Sequence, residues 1–279
     1  MTSPAEISME EIFSPKRVGE DRYEAPSMPL EGGAIYGGQL LMQVLNVAAD
    51  TLPAPLPAHY LQSTFVAAGD ATRPLEIHVR RVRDGKSTCQ RHVEISQEGR
   101  TLLLASLSFQ DVAEGYDHQL ALPDVPAPES LAADPDNYIP FASPAGDFPW
   151  LILDCDMAGD SGAPIAAIWT RPRDPVPAGD LLHQMCFAFL SDATILQSAM
   201  QPHGLDWEAS EIFVATMNHT IWFHRPVDVN DWLLLHGESP STSHGRALAV
   251  ANAYSSRGEL FATVAQEGVV RPLKQQSKP

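Results

Sequence analysis

Apolar and polar residues alternate from Phe213 to Phe223 in a pattern that predicts a strand with two unlike faces. Phe213, Ala215, Met217, His219, Ile221 and Phe223 fall on one face, and Val214, Thr216, Asn218, Thr220 and Trp222 on the other. A row of small hydrogen-bonding groups ending on an indole is unusual for a core strand and suits a polar pocket wall. Upstream, Asp180 offers a helix N-cap before LLHQMCFAFLSDATILQSAM, which Pro202 and Gly204 close. Leu182, Met185, Phe189, Asp192, Leu196 and Ala199 recur at steps of three and four, so Asp192 lies on an apolar stripe. That helix is apolar nearly all round, which predicts that other elements wrap it. A carboxylate there is costly to ionise without donors nearby. A third element, Gly258–Gln266, predicts a strand with Leu260, Ala262, Val264 and Gln266 on one face. Asp192, Thr216 and Gln266 are thus three polar groups set into mostly apolar surfaces.

The chain also repeats itself. Leu61–Asp70 and His219–Asp228 align with Phe65 over Phe223 and Asp70 over Asp228, each pair 158 residues apart. The turn Glu98-Gly99-Arg100 answers Arg257-Gly258-Glu259 at a spacing of 159. Each half carries a helix before its strands, Gly38–Asp50 in the first and Asp180–Met200 in the second. Antiparallel strands follow, joined by tight turns such as Asp84-Gly85. An apolar helix and a long meander, twice over, predict an α+β chain in which a sheet curls around each helix. The halves are expected at residues 1–120 and 151–279, joined by a Pro/Ala-rich linker over 121–150. Tyr138, Phe141, Phe148 and Trp150 are placed to pack that linker onto the domains.

Distinctive motifs punctuate these elements. They include Tyr36-Gly37-Gly38-Gln39, Phe65 with Gly69-Asp70, Arg83-Asp84-Gly85-Lys86-Ser87 and Leu182-His183-Gln184. Ser191-Asp192, Gln201-Pro202-His203-Gly204, His219 with Trp222-Phe223-His224-Arg225-Pro226, and Gln266-Glu267-Gly268-Val269 follow in order. With this set, from about Val18 to Arg271, the chain resembles the acyl-CoA thioesterase II family. The resemblance implies a double hot-dog fold, two tandem antiparallel sheets each wrapped around an apolar helix. It implies hydrolysis of fatty acyl-CoA to free fatty acid and CoA, with no cofactor. It also implies that an Asp on the second helix, a Thr on the next strand and a Gln on the last strand hold the hydrolytic water. Asp192, Thr216 and Gln266 occupy those positions. Two places depart from the family pattern: Asn218 stands where an Asp is usual, and Phe65-Val-Ala-Ala-Gly-Asp70 replaces Phe-Leu-Arg-Pro-Gly-Asp.

The chemistry is consistent. Asp192 as general base would activate a water held by Thr216 and Gln266, while backbone N–H groups polarise the thioester carbonyl. Substrate contacts are expected at Gly37 and Gly38, where the backbone permits close approach. His219 and Trp222 are further substrate-side candidates, His219 reading first as a hydrogen-bonded core histidine. Taken singly, each member of the trio has a plainer reading. A helical Asp can cap a local break, Thr is an ordinary strand former, and Gln266 can end an edge strand. Their joint match to one pattern makes them a site.

A net charge of −17 argues against nucleic-acid or anionic-membrane binding. CoA is itself polyanionic, which draws attention to Arg80, Arg81, Arg83, Lys86 and Arg91, five of the 18 Lys and Arg residues within twelve positions. Arg83 and Lys86 are the phosphate candidates. Cys89, Cys155 and Cys186 are too sparse for a disulfide framework and point to a reduced, cytoplasmic setting. The first residues lack a basic and an apolar leader region, and no stretch approaches a membrane span. Gly159-Asp160-Ser161-Gly162 matches a trypsin-like nucleophile motif without its disulfides, and no metal-ligand spacing or G-x-S-x-G elbow is present. Hot-dog hydratases pair an Asp with a His five residues on; after Asp192 that position is Gln197. The rival reading is a non-catalytic acyl-CoA or acyl-lipid binding protein, which need not retain all three polar groups. A homodimer through sheet edges or helix faces is expected.

Overall fold

The computed structural model describes residues 12–28, 33–139, 142–143, 146–147, 149–155, 162–205 and 212–273. Two apolar helices lie at its centre, α1 (Gly37–Asp50) and α2 (Asp180–Ser191). Nearly every α1 side chain from Gly38 to Ala48 is buried, and so is α2 from His183 onward. They pack against each other inside a curled sheet. Thr51 ends α1 by donating its hydroxyl to the Ala48 carbonyl at 2.8 Å.

Among the described residues, twelve strands form one antiparallel sheet. The first half supplies β1 (Lys16–Gly19), β2 (Arg22–Ala25), β3 (Ala58–Phe65), β4 (Leu75–Asp84), β5 (Thr88–Gln97) and β6 (Arg100–Gln110). The second supplies β7 (Trp150–Asp154), β8 (Ile165–Pro172), β9 (Ile212–Phe223), β10 (Leu233–Ser243), β11 (Arg246–Ser255) and β12 (Leu260–Pro272). The order is β1-β2-β4-β5-β6-β3-β9-β12-β11-β10-β8-β7. The two sheets expected from the repeat are therefore one. Strands β3 and β9 would each have left an open edge, and pairing them removes both. Gln62 faces Thr220 in that pairing, and these two are themselves 158 residues apart. The sequence repeat is thus an approximate twofold axis through the middle of the sheet.

Even an irregularity repeats. The register shifts between Ala58 and Tyr60 against β6, and between Thr216 and Asn218 against β12. This bulge corrects the strict alternation expected for β9. One extra residue, Met217, turns Thr216 onto the face that carries His219, where both meet Gln266. The polar row is split: Thr216 points inward, while Trp222 is 39% exposed and packs against Tyr60 of the neighbouring β3.

The second helix is also shorter than its pattern predicts. Gly179, not Asp180, is its N-cap, and the helix stops at Ser191, leaving Asp192 at the C-cap. Ser191 Oγ lies 2.9 Å from the Ala188 carbonyl oxygen at this helix end. A single turn, Gln197–Met200, resumes beyond a break, and a 3-10 turn, Gln201–His203, follows it and ends at Gly204 with φ 63°.

Residues 121–150 hold a short helix, Pro128–Ala132, and a 3-10 turn, Pro135–Asn137. Tyr138 bridges to Leu153 and packs on a small core that includes Trp169 and Trp232. Trp150 is buried at the start of β7. Phe141, Phe148 and Gly159–Ser161 lie outside the described residues. The three cysteines are free and buried. Among the described residues no helix is long and apolar enough to cross a membrane.

Candidate active site

The site forms where the end of α2 meets the start of α1. No side chain of its own segment caps α1, so its first amides need outside acceptors. Asp192 supplies one, taking a hydrogen bond from the Gly38 N–H. The carboxylate of one helix end thereby serves as the N-cap of another, at the positive end of its dipole. Glycine permits this. A Cβ at Gly37 would collide with Asp192 Oδ2, and one at Gly38 with the Phe189 carbonyl. Tyr36 ties the same junction, donating its hydroxyl to that carbonyl at 2.8 Å.

The sheet brings the other two groups. Thr216 Oγ1 donates to Asp192 Oδ1 at 3.1 Å. Gln266 Nε2 donates to the same oxygen at 2.9 Å and to Thr216 Oγ1 at 2.8 Å. Behind Gln266, His219 Nδ1 lies 3.1 Å from Oε1, and its Nε2 lies 2.9 Å from Ser191 Oγ. Burial pushes the Asp192 carboxyl up to about 7, against the bonds from Thr216, Gln266 and Gly38, which favour its charged form. Burial drives His219 down to about 4, so its ring is neutral. The 3.9 Å approach of that ring to Asp192 is accordingly dipolar and not an ion pair.

A cavity of about 490 Å³ opens onto this cluster. Ile35, Leu40, Phe65, Leu196 and Val214 make its walls apolar, with Asp192, Thr216 and Gln266 as the polar floor. Gly268, opposite Thr216 in the sheet, keeps room for Leu196, whose Cδ1 would lie 2.6 Å from a Cβ there. Among the described residues no His/Cys/Asp/Glu cluster is arranged to hold a metal.

Of the residues expected from sequence, Asp192, Thr216, Gln266, Gly37 and Gly38 come together. His219 joins them from behind and is wholly buried. Trp222 does not; it sits on the outer face. Arg83 and Lys86 are exposed at the β4–β5 hairpin. Arg83 pairs with Gln90, Gln90 with Ser108 and Ser108 with Tyr60, so Arg83 is level with Tyr60. That is five residues from Phe65 at the cavity, roughly 16 Å along the strands. Tyr36 and Ser191 were not expected at the site, although each lies inside a sequence motif, Tyr36-Gly37-Gly38-Gln39 and Ser191-Asp192. Phe213, expected only as a strand residue, lines the cavity beneath the Arg271 guanidinium, 5.4 Å from its ring. The two departures have distinct fates: Asn218 donates to Glu267 at 3.0 Å, and Ala67 and Ala68 line the cavity.

The architecture is of the hot-dog class. A hot-dog protein from Alicyclobacillus acidocaldarius superimposes with TM-score 0.78 at 19% identity, over 94% of this chain and 97% of its own. An acyl-CoA thioesterase II from Mycobacterium marinum superimposes with TM-score 0.80 at 31% identity, covering 97% and 99%. The profile of the acyl-CoA thioesterase family matches residues 151–269, and that of the acyl-CoA thioesterase N-terminal domain matches 25–110. Acyl-coenzyme A thioesterase 8 of Mus musculus is 30% identical over 265 residues, 88% of this chain and 82% of that one. Acyl-CoA thioesterase 2 of Haemophilus influenzae is 29% identical over 262 residues, 89% and 92%. The chain belongs to the acyl-CoA thioesterase family.

Proposed function

We propose that this thioesterase hydrolyses fatty acyl-CoA with Asp192 as general base on a water held by Thr216 and Gln266. The observation that carries the reading is the convergence of carboxylate, hydroxyl and amide within hydrogen-bond distance at the floor of an apolar cavity. A carboxyl near 7 is matched to accepting a proton at neutral pH. The water loses that proton to Asp192 as its oxygen bonds to the thioester carbon. The oxyanion then collapses, breaking the C–S bond and releasing CoA thiolate and the fatty acid. First-turn amides of α1 left free by Asp192 are the nearest candidates to stabilise the oxyanion. In this reading the two halves form a double hot-dog, and the exposed edge strand β1 supports assembly as a homodimer.

Release of free thiol from short, medium and long acyl-CoAs, without added metal, tests the reading. Asp192→Ala is expected to lower kcat by about 10²- to 10⁴-fold. Saturable ligand binding with no turnover in the unaltered protein would favour the non-catalytic binder.

A further inference from the structure

We propose that His219 and Ser191 are positioning residues that hold the Gln266 amide with its nitrogen, and not its oxygen, toward Asp192. The inference rests on the hydrolytic reading above. A glutamine amide has two ends of nearly equal shape, one donating and one accepting. Only the donating end suits Asp192, because an ionised carboxylate only accepts. With Nε2 on Asp192 and Thr216, Oε1 faces His219 Nδ1 at 3.1 Å. Oε1 can only accept, so Nδ1 carries the ring hydrogen. The neutral ring then presents a lone pair at Nε2, 2.9 Å from Ser191 Oγ. Ser191 Oγ also lies 2.9 Å from the Ala188 carbonyl; in this proposal its single hydrogen goes to Nε2, which no other described donor reaches.

The chain of donors therefore runs one way, from Ser191 through His219 and Gln266 to Asp192. Ser191 and His219 are wholly buried behind Gln266, on the side away from the cavity, so bulk solvent bonds to neither. The first half supplies a control. By the sheet registers, Leu61 occupies the place of His219 and Leu107 that of Gln266. The half without the amide also lacks the imidazole, as expected if the imidazole serves the amide. Leu61 shows too that a leucine packs at this position, which makes His219→Leu a usable variant.

The test combines kinetics with a spectroscopic signature. His219→Leu should lower kcat by about 10- to 100-fold, the usual scale for an outer partner, with KM within about threefold. The acid limb of its pH profile should move upward, because an amide free to turn its oxygen toward Asp192 disfavours the charged carboxylate. His219→Asn, whose Nδ2–H replaces Nδ1–H, should recover most of both changes, which a merely structural role would not allow. In the unaltered protein at pH 9, nitrogen-15 NMR should find His219 protonated on Nδ1; this holds even if the leucine variant does not fold. An Nε2-protonated ring at pH 9, or a folded His219→Leu with unchanged kcat and limb, overturns the proposal. Asp192→Asn in the same assay separates the two readings. If it is inactive while His219→Leu is unimpaired, only the positioning role falls; if it stays active, the hydrolytic reading falls and takes the positioning role with it.

Discussion

The two halves of the sheet share a backbone and differ in what fills it. Thr216 faces Gly268 across the bulge in the second half, where Ala58 faces Phe109 in the first. His219 faces Gln266, where Leu61 faces Leu107. Ala249 lies beside Gln266, where the buried Arg91 lies beside Leu107. Asp192 and Thr51 each take the C-cap of their helix. In the first half Arg91 reaches across to that cap, donating to Thr51 Oγ1 at 2.7 Å and to the Thr51 carbonyl at 3.0 Å. Gln184 clamps the Ala58 backbone from the other side. The fold thus builds one junction of helix end and bulged strand twice. Small residues leave it open in one half; Phe109 and Arg91 close it in the other. The backbone supplies a frame, and space beside a carboxylate supplies the site.

The contrast can be broken by making the open half resemble the closed one. Gln266→Leu removes the donor to Asp192 and should cost about 10²- to 10³-fold in kcat, measured by thiol release. It also strands the His219 N–H, which should lower stability by about 1–3 kcal/mol; adding His219→Leu should recover that stability but not activity, a coupling that denaturant unfolding would measure. In the closed half, Arg91→Ala leaves Thr51 and Asp84 without their buried partner. A loss of about 1–3 kcal/mol is expected from the stranded Thr51 groups, read by the same unfolding, with KM little changed.

A stability test sharpens the same difference. Burial raises the Asp192 carboxyl from the ordinary carboxylate value of 3.8 to about 7, so the native state holds that proton more tightly than the unfolded chain. Stability from this group is full at low pH and is lost as pH rises toward and through 7. Asp192→Asn, which cannot ionise, should therefore be more stable than the unaltered chain at pH 9, on the order of a few kcal/mol, with the gap narrowing at pH 5. The smallest effect is expected at the β4–β5 hairpin: Arg83→Ala and Lys86→Ala should each leave KM for acyl-CoA within about twofold, since surface charges at this distance are largely screened.

Much of this was legible in the chain. The trio Asp192, Thr216 and Gln266 stood out as polar breaks in apolar patterns, and the 158-residue repeat located the twofold. What stayed hidden has physical causes. Strict alternation failed at Met217 because a bulge inserts one residue without a composition of its own, and a slip of one flips every later side chain. The end of α2 at Ser191 was masked by Ala193, Ile195 and Leu196, which keep a helical-looking apolar pattern past the break. Pairing of β3 with β9 depends on edges meeting across half the chain, which no local pattern reports. Arg83 and Arg91 look alike in sequence, yet one lies on the surface and the other is wholly buried, a difference set by which strand face each occupies.

The most direct test of the central claim is the pH dependence of kcat/KM for thioester hydrolysis, measured from pH 5 to 9 beside Asp192→Asn. With Asp192 as the base, activity rises with pH through about 7 and levels above it, while the variant stays lower by about 10²-fold or more throughout. A variant within tenfold of the unaltered enzyme, or a profile flat across pH 7, would contradict the account.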